Sequence, residues 1–411
     1  MTRILNFGSC NIDYVYALDH IVAPGETEAS SELRVFSGGK GLNQSIAAAR
    51  AGSTVFHAGQ VGSDGAMLLD VMSESGVDVS NVRTVDGRSG HAIIQVTGDG
   101  ENSIFLYPGA NRTLDEAFID KVLCGFDAND ILILQNEINA VGKIIEKAYA
   151  KGMRIMLTPS PINEYVLSLD LGMISCLLMN ETEAKALSGA DDAETGVDRL
   201  CSRYPQLCVV LTMGKSGCLY RSGSKRYYHP IFKVDAVDTT AAGDTFAGYF
   251  IAAVADGIPP ETAIKRASAA AALAVSRKGA APSIPTREEV DRALLTLSLS
   301  KNTQDDRRRA KLILGYLNEN LCGASLAELS DVLGYSETYT GAMVKHLLGK
   351  PFSVLLEDKR CERAAQLLTE TELPIEEIIY RVGYANESFF RRLFRSRYQK
   401  SPLEYRKKGV K

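Results

Sequence analysis

The sequence has eight cysteines, at 10, 124, 176, 201, 208, 218, 322 and 361, yet no C-x-x-C pair and no tight cysteine–histidine cluster. Structural zinc sites need that clustering, and disulfide frameworks belong to short secreted chains. Free thiols in a reducing compartment fit the spacing better. The opening Met1-Thr-Arg-Ile-Leu-Asn-Phe-Gly-Ser lacks the longer apolar run and cleavage site of a signal peptide and reads as a first strand. The apolar run Ala267–Val275 is far too short to cross a bilayer. A cytoplasmic protein is therefore expected. The main glycine cluster, Ser37-Gly38-Gly39-Lys40-Gly41-Leu42-Asn43, is neither G-x-G-x-x-G nor G-x-x-x-x-G-K-[ST], so it is a poor nucleotide loop.

A length of 411 residues suggests two or three domains. At 45% hydrophobic and 23% charged residues the chain reads as globular rather than disordered. The net charge of −4 hides a split. From Lys301 onward there are 20 basic and 15 acidic residues, against 26 and 35 before it. A basic tail on an acidic body points to nucleic acid as a partner for the tail alone.

The stretch Asp238-Thr-Thr-Ala-Ala-Gly-Asp244-Thr-Phe-Ala-Gly248 reads as a turn entering a helix. Its small residues let a ligand approach the backbone, and a helix N-terminus offers unpaired N–H groups and a positive dipole end. That suits a phosphate. Asp244 beside it is placed to take a proton from an attacking hydroxyl. Together these suggest phosphoryl transfer to an alcohol; an ordinary capped helix start is the plainer alternative.

Earlier in the chain, residues 3–8 read as a strand followed by Asn11-Ile12-Asp13. Polar residues at a strand's carboxyl end are where open α/β sheets bind ligands, although an Asx turn reads the same way. The glycine loop 37–43, with Lys40 and Asn43 as its polar groups, reads as a substrate loop before the helix Gln44–Ala51. From Thr54 to about Val237 strands and helices alternate, which predicts a mostly parallel sheet covered by helices. Several strands end in polar residues: Asn136-Glu137, Asn180-Glu181 and Thr212. Thr212-Met213-Gly214-Lys215-Ser216-Gly217 suits either nucleotide phosphates or a tight hairpin.

On these residues the chain resembles the ribokinase (PfkB) family of sugar kinases over nearly all of 1–295. The motifs are Gly-Gly-Lys-Gly-x-Asn at 38–43 and Asp-Thr-x-Ala-Ala-Gly-Asp at 238–244, in order and some 200 residues apart. The likeness is strongest to the ribokinase branch, through Asn11-Ile-Asp13, Gly100-Glu-Asn, Gly109-Ala-Asn, Asn180-Glu-Thr-Glu183 and Arg277-Lys-Gly-Ala. The resemblance implies that Asn11, Ile12, Asp13, the loop Gly39, Lys40, Gly41, Leu42, Asn43, and Glu137 hold a pentose. It makes Asp244 the base, with Ala242 and Gly243 supplying anion-hole amides. It puts ATP against Asn180, Thr212–Gly217, Gly243, Asp244 and Ser268. It places potassium at Asp238, Thr240, Ala274, Arg277, Gly279 and Ser283, and magnesium near Asn180 and Glu183. Residues 14–37 and 91–106 would form a β lid that doubles as a homodimer interface. Ser268 departs from the histidine or asparagine common against adenine, and Thr240 from a common hydrophobic residue.

Such kinases end near 298. Residues 299–306 read as a polar linker and 307–411 as all helical, with two helix-turn-helix units. The run from Ile378 to Arg395, closed by Ser401-Pro402-Leu-Glu-Tyr405-Arg406, resembles the AraC-type DNA-binding domain. That likeness implies that Asn386, Glu387, Ser388, Arg391, Arg392 and Arg395 face DNA, while Phe389, Leu393 and Phe394 fill the core. The first reading helix, Ser336–Leu348, has Gly341 within it and little positive charge beyond Lys345 and His346. The expectation is thus an ATP-, magnesium- and potassium-dependent pentose kinase, ribose leading, fused to an operator-binding regulator. The alternatives are a regulator whose kinase fold only senses, or a kinase for deoxyribose or a nucleoside.

Overall fold

The computed structural model describes residues 2–98, 101–297, 303–335 and 337–409. Gly100 and Ser336, singled out above, lie outside the described residues. The chain divides into two compact units, Met1–Ser300 and Lys301–Lys411.

The first unit contains thirteen strands in its described residues: β1 (Ile4–Phe7), β2 (Asn11–Leu18), β3 (Glu32–Gly38), β4 (Val55–Val61), β5 (Val77–Thr84), β6 (Gly90–Thr97), β7 (Asn102–Tyr107), β8 (Ile131–Gln135), β9 (Arg154–Thr158), β10 (Cys176–Asn180), β11 (Cys208–Thr212), β12 (Cys218–Ser222) and β13 (Lys225–His229). Nine form one sheet in the order β13-β12-β11-β10-β9-β8-β1-β4-β5. The strands from β11 to β5 run parallel, and β12 and β13 are an antiparallel edge. The other four form a separate sheet, β3-β2-β6-β7, over the segments expected to make the lid. Strand β5 went unrecognised in the sequence. Its Val-Asp-Val-Ser-Asn-Val run is half-exposed at the sheet edge and has no apolar block to announce it.

The order of strands decides where a ligand can sit. From β1 the chain passes to β4 on one side and later to β8 on the other. The strand order therefore reverses at β1, and the crevice beyond the carboxyl ends of β1 and β8 is the binding position of such sheets. The short connection from β1 to β2 fits only because two glycines meet there. A Cβ on Gly8 would lie 2.5 Å from the Cα of Gly41, and one on Gly41 the same distance from the Cα of Gly8. Gly39 caps the helix Lys40–Arg50 with φ 96°, a backbone region that favours glycine.

That helix packs against the helix Ala242–Ala255, which starts in the motif of residues 238–244. A Cβ on Gly248 would come within 2.4 Å of the Ala47 Cβ and 2.8 Å of the Gln44 carbonyl oxygen. Small residues on both partners thus let two helices some 200 positions apart in sequence nearly touch. The Ala-rich helix Pro260–Val275 adds to the same core beside the sheet.

The second unit has helices Thr303–Glu319, Leu326–Leu333, Glu337–Leu348, Phe352–Glu370, Ile375–Arg381, Glu387–Tyr398 and Pro402–Gly409. Residues 303–306, expected as linker, are already helical; 299–302 lie outside the described residues. Two small cores form. Ile313, Leu317, Leu329, Val344, Phe352 and Leu356 make one. Cys361, Ala364, Leu368, Ile378, Val382, Phe390 and Phe394 make the other. The helix Phe352–Glu370 contributes its first half to one core and its second half to the other. Phe389 was expected in the core, but it is 41% exposed and Phe390 is buried in its place. The register follows from Asn386, which caps the helix by accepting from the Phe389 amide at 2.9 Å. Residues 390 and 394 then lie one turn apart on the inner face.

Candidate active site

The ends of the parallel strands and the starts of two helices meet in one cavity of about 230 Å³, lined by Lys40, Thr158, Asn180, Glu183, Thr212, Thr239, Gly243 and Asp244 among others. Asp244 is buried at the third position of its helix. Each of its carboxylate oxygens accepts one amide hydrogen bond, Oδ2 from Asn43 Nδ2 at 3.1 Å and Oδ1 from Gln44 Nε2 at 3.0 Å. On the sheet side, the Ser9 hydroxyl and the Lys40 backbone amide both donate to Glu137 Oε2, at 2.5 and 3.1 Å. This joins the carboxyl ends of β1 and β8 to the glycine loop. Asn11 accepts from Asn111 Nδ2 at 2.8 Å, and Asn111 also brackets Cys10 through both its amide and carbonyl. The Gly109-Ala-Asn motif therefore fixes the corner between β1 and β2. Ile12 is buried as the next residue of β2, and Leu42 is buried in the core beneath the loop.

Charge is concentrated here. Burial, with Glu137 and Asp244 nearby, pushes Asp13 up from its ordinary 3.8 to about 7. Burial also raises Glu137, although Lys40 and the Ser9 hydroxyl pull it back. The Lys40 ammonium is held above its ordinary range, chiefly by Asp244 and further by Glu137 and Glu183. One lysine thus offsets several buried carboxylates. Gly38 backs Asp13 so closely that a Cβ would fall 2.0 Å from Asp13 Oδ2. Asn43 Oδ1 is buried and has no hydrogen-bond partner among the described residues. A buried acceptor of this kind is costly unless a ligand hydroxyl fills it.

At the helix start expected to form an anion hole, one of the two expected donors is already engaged. Ala241 takes φ 59°, and the Ala242 amide donates to the Thr239 carbonyl at 3.3 Å. The amides of Gly243 and Asp244 have no backbone acceptor among the described residues. The open donors are therefore Gly243 and Asp244 rather than Ala242 and Gly243.

The residues expected around ATP are only partly gathered. Asn180 and Glu183 line the cavity and form a capping box, the Asn180 amide donating to Glu183 Oε2 at 2.9 Å and the Glu183 amide to Asn180 Oδ1 at 3.0 Å. Each Glu183 oxygen keeps a lone pair that fits a magnesium ion or its water. Thr212 reaches the cavity, but the rest of 212–217 is the hairpin between β11 and β12. Met213 is buried, its amide donating to the Gly217 carbonyl at 2.8 Å, and Gly214 and Lys215 are exposed. The Ser216 carbonyl accepts from the Tyr228 hydroxyl. Ser268 pairs with the Cys218 thiol at 3.4 Å and is not part of the cavity lining.

The expected potassium residues are joined in part: Asp238 ties Thr240 to Gly279, whereas Ala274 and Ser283 bond within their own segments. Asp238 accepts from the Thr240 amide at 2.8 Å and the Gly279 amide at 2.9 Å. Arg277 pairs with Glu289 at 2.7 Å, so its side chain points away and only its carbonyl remains for a cation. The carbonyl of buried Ala274 accepts from the Arg277 amide at 3.0 Å. The buried Ser283 hydroxyl donates to the Ala280 carbonyl at 2.8 Å and keeps its own lone pairs. An all-oxygen donor set of this kind fits a hard cation. Four further residues were not singled out in the sequence: Thr158 and Thr239, which line the cavity, and Ser9 and Gln44, which donate to Glu137 and Asp244. Thr158 ends an apolar strand as Asn136 and Thr212 do, and the same criterion would have found it. A larger hollow of about 660 Å³, between the helices Glu116–Leu123 and Val141–Ala150, contains none of the expected site residues.

In the second unit, the helix Glu387–Tyr398 carries the expected DNA-facing residues. Arg392 and Arg395 are exposed, as is Ser388. Arg391 is engaged by Glu376 at 2.9 Å and Glu387 at 3.5 Å, so neither it nor Glu387 is simply presented to solvent. Asn386 is spent as the helix cap.

Comparison with known proteins agrees with this geometry. Residues 1–287 match the model of the pfkB family carbohydrate kinases. The chain belongs to that family. It is a phosphotransferase of the ribokinase-like α/β fold, and residues 329–408 match a helix-turn-helix domain of the AraC type. The ribokinase of Haemophilus influenzae is 36% identical over 292 residues, covering 69% of this chain and 95% of that one. The ribokinase of Bacillus subtilis is 34% identical over 298 residues, covering 72% and 100%. Among solved structures, ribokinase of Cryptococcus neoformans in complex with ADP superposes with a TM-score of 0.65 at 32% identity, covering 71% of this chain and 98% of that one. Ribokinase of Arabidopsis thaliana complexed with ribose and ATP gives 0.63 at 28%, covering 72% and 99%.

The raised Asp13 has a measurable consequence. A carboxyl that holds its proton more tightly folded than unfolded favours folding while protonated. That contribution is complete below about 4 and is lost as pH rises through about 7. The ligand-free wild type is therefore expected to lose stability relative to Asp13→Asn across that window in parallel thermal melts. A constant difference between the two would show that Asp13 ionises at its ordinary pH.

Proposed function

We propose that the first unit transfers the γ-phosphoryl of ATP to the primary hydroxyl of a pentose, with D-ribose the leading substrate. The observation that carries this reading is a buried carboxylate, Asp244, at the same helix start as two open backbone amides, in a polar cavity at the carboxyl ends of β9, β10 and β11. Asn43, with its unpartnered acceptor, would hold a sugar hydroxyl together with Asn11, Asp13, Lys40 and Glu137. Asp244 would remove the proton from the attacking hydroxyl. The Gly243 and Asp244 amides, backed by the helix dipole, would stabilise the transferring phosphoryl group. Asn180, Glu183 and Thr212 would face the nucleotide. Magnesium, bound near Asn180 and Glu183, would neutralise phosphate charge, and potassium held by oxygens of Asp238, Thr240, Ala274, Arg277, Gly279 and Ser283 would strengthen the field of the anion hole. The solved relatives titled with ADP, and with ribose and ATP, support this substrate pair.

The second unit would bind an operator through Arg392 and Arg395. The kinase unit would serve as its effector domain, responding to sugar or nucleotide. Coupling of that kind requires different ligand affinity in two conformational states. The lid sheet exposes Leu33, Val35 and Phe105 on one face and Ile104 and Leu106 on the other, apolar surface that supports homodimerisation there.

Two experiments test these readings. ATP turnover with a panel of pentoses, with and without potassium, is expected to select ribose. Asp244→Asn is expected to lower kcat by roughly 10²–10⁴-fold, the usual share of general-base catalysis. Undiminished turnover in that variant would remove Asp244 as the base. Binding of the full chain to duplex DNA over a salt series is expected to be salt-dependent, the slope falling by about one in Arg392→Ala. Operator binding indifferent to saturating ribose and ATP would discard the sensor role.

A further inference from the structure

The hydrogen bonds behind Asp244 form a chain that fixes the direction of every amide in it. It starts at the Gly41 carbonyl, which can only accept. Asn6 Nδ2 donates to it at 2.8 Å and to Ser45 Oγ at 2.9 Å. The Asn6 oxygen must then face the other way, where it accepts from Gln135 Nε2 at 3.1 Å. The second hydrogen of that nitrogen goes to Gln44 Oε1 at 2.9 Å. The Gln44 amide is thereby oriented with its nitrogen toward Asp244 Oδ1, at 3.0 Å, and toward Thr158 Oγ1, at 3.3 Å. Asn6, Gln44 and Gln135 are all essentially inaccessible to solvent. Turning any one amide would oppose acceptor to acceptor or donor to donor in a dry interior, at a cost the fold does not need to bear.

We infer that Gln44 is a positioning residue for Asp244, and that the Asn6–Gln135–Gln44 relay exists to present a neutral donor to the carboxylate. The argument rests on the reading of Asp244 as the base. A base needs its charge and its direction held without losing basicity. A cation hydrogen-bonded to it would favour the carboxylate strongly and make it a poor proton acceptor. An amide supplies direction with far less of that penalty. Gln44 and Asn43 give one such bond to each oxygen, which fixes the carboxylate plane and leaves lone pairs for the incoming hydroxyl. The far end of the network is equally uncharged. Ser45 Oγ lies 2.8 Å from His57 Nδ1, and burial pulls His57 down to about 4. No proton is exchanged along this chain at neutral pH, so its function is orientation.

The test compares Gln44→Leu, Gln44→Glu and Asp244→Asn in the full chain, with folding checked by thermal melting. Gln44→Leu removes the donor and is expected to lower kcat about ten- to hundredfold, the acceptor KM staying within about threefold. Gln44→Glu keeps the side-chain length and the acceptor for Gln135, but sets a second carboxylate against Asp244. Two acids at that range share a proton, so the acid limb of the kcat/KM profile is expected to move up by about one pH unit or more, with rate recovered at high pH. A residue 44 that does not face Asp244 would not move that limb, and one that merely filled space would keep its kcat in Gln44→Leu. A folded Gln44→Glu with the wild-type pH profile overturns the inference, and this nearly isosteric variant decides the matter even if Gln44→Leu fails to fold. Asp244→Asn separates the two claims. Full turnover there sinks the base itself, whereas lost turnover there with an unmoved Gln44→Glu profile sinks only the role of Gln44.

Discussion

The near-contact of two helices at Gly248 and Ala47 is the constraint on which the site depends. The helix Lys40–Arg50 begins at the glycine loop, and the helix Ala242–Ala255 begins at the anion hole. Only when they pack with almost no side chain between them do Asn43 and Gln44 reach Asp244. A larger residue at 248 would separate the carboxylate from both amides before it touched any ligand. The glycines at 8 and 41 do the same work one layer over, where they let the end of β1 pass against the loop. Close packing of small residues here serves geometry more than it serves hydrophobic burial.

Within that frame the electrostatics are deliberately unbalanced. Glu137, Glu183 and Asp244 surround a single lysine, Asp13 lies near Glu137 and Asp244, and burial raises Asp13 and Glu137. A cavity of this kind is poorly satisfied alone and better satisfied by hydroxyl groups, which donate to carboxylates and add no charge. On the proposed reading the nucleotide phosphates would lie on the other side of Asp244, where the helix start offers amides and dipole, and the sugar on the first.

Much of this was legible in the sequence, for physical reasons. The loop 38–43 and the motif 238–244 are compact, because all their polar groups come from consecutive residues. Strands β8, β10 and β11 announced themselves as apolar blocks with polar ends. What was not legible depended on distant partners. Gln44 looked like an ordinary helix residue until Gln135 and Asp244 were seen beside it. The Ala242 amide looked open until the left-handed Ala241 turned it onto the Thr239 carbonyl. Thr212–Gly217 divides between strand end and hairpin, with only Thr212 at the cavity. In the second unit, a cap at Asn386 shifted the buried aromatic by one residue, from Phe389 to Phe390.

The fusion joins a family kinase unit, which matches the whole length of the Bacillus subtilis ribokinase, to a DNA-binding unit with two small cores strung on one helix. On the proposed reading its chemistry turns on a hydroxyl delivered to Asp244 beside the two open amides. The most direct check is the fate of the phosphate, followed by ³¹P NMR with ATP and ribose and, in parallel, with 5-deoxyribose. The account predicts a single phosphomonoester at the primary hydroxyl of ribose, and no ester from the deoxy analogue, which has no such oxygen. An ester on a ring hydroxyl, or inorganic phosphate as the main product with ribose, would contradict it.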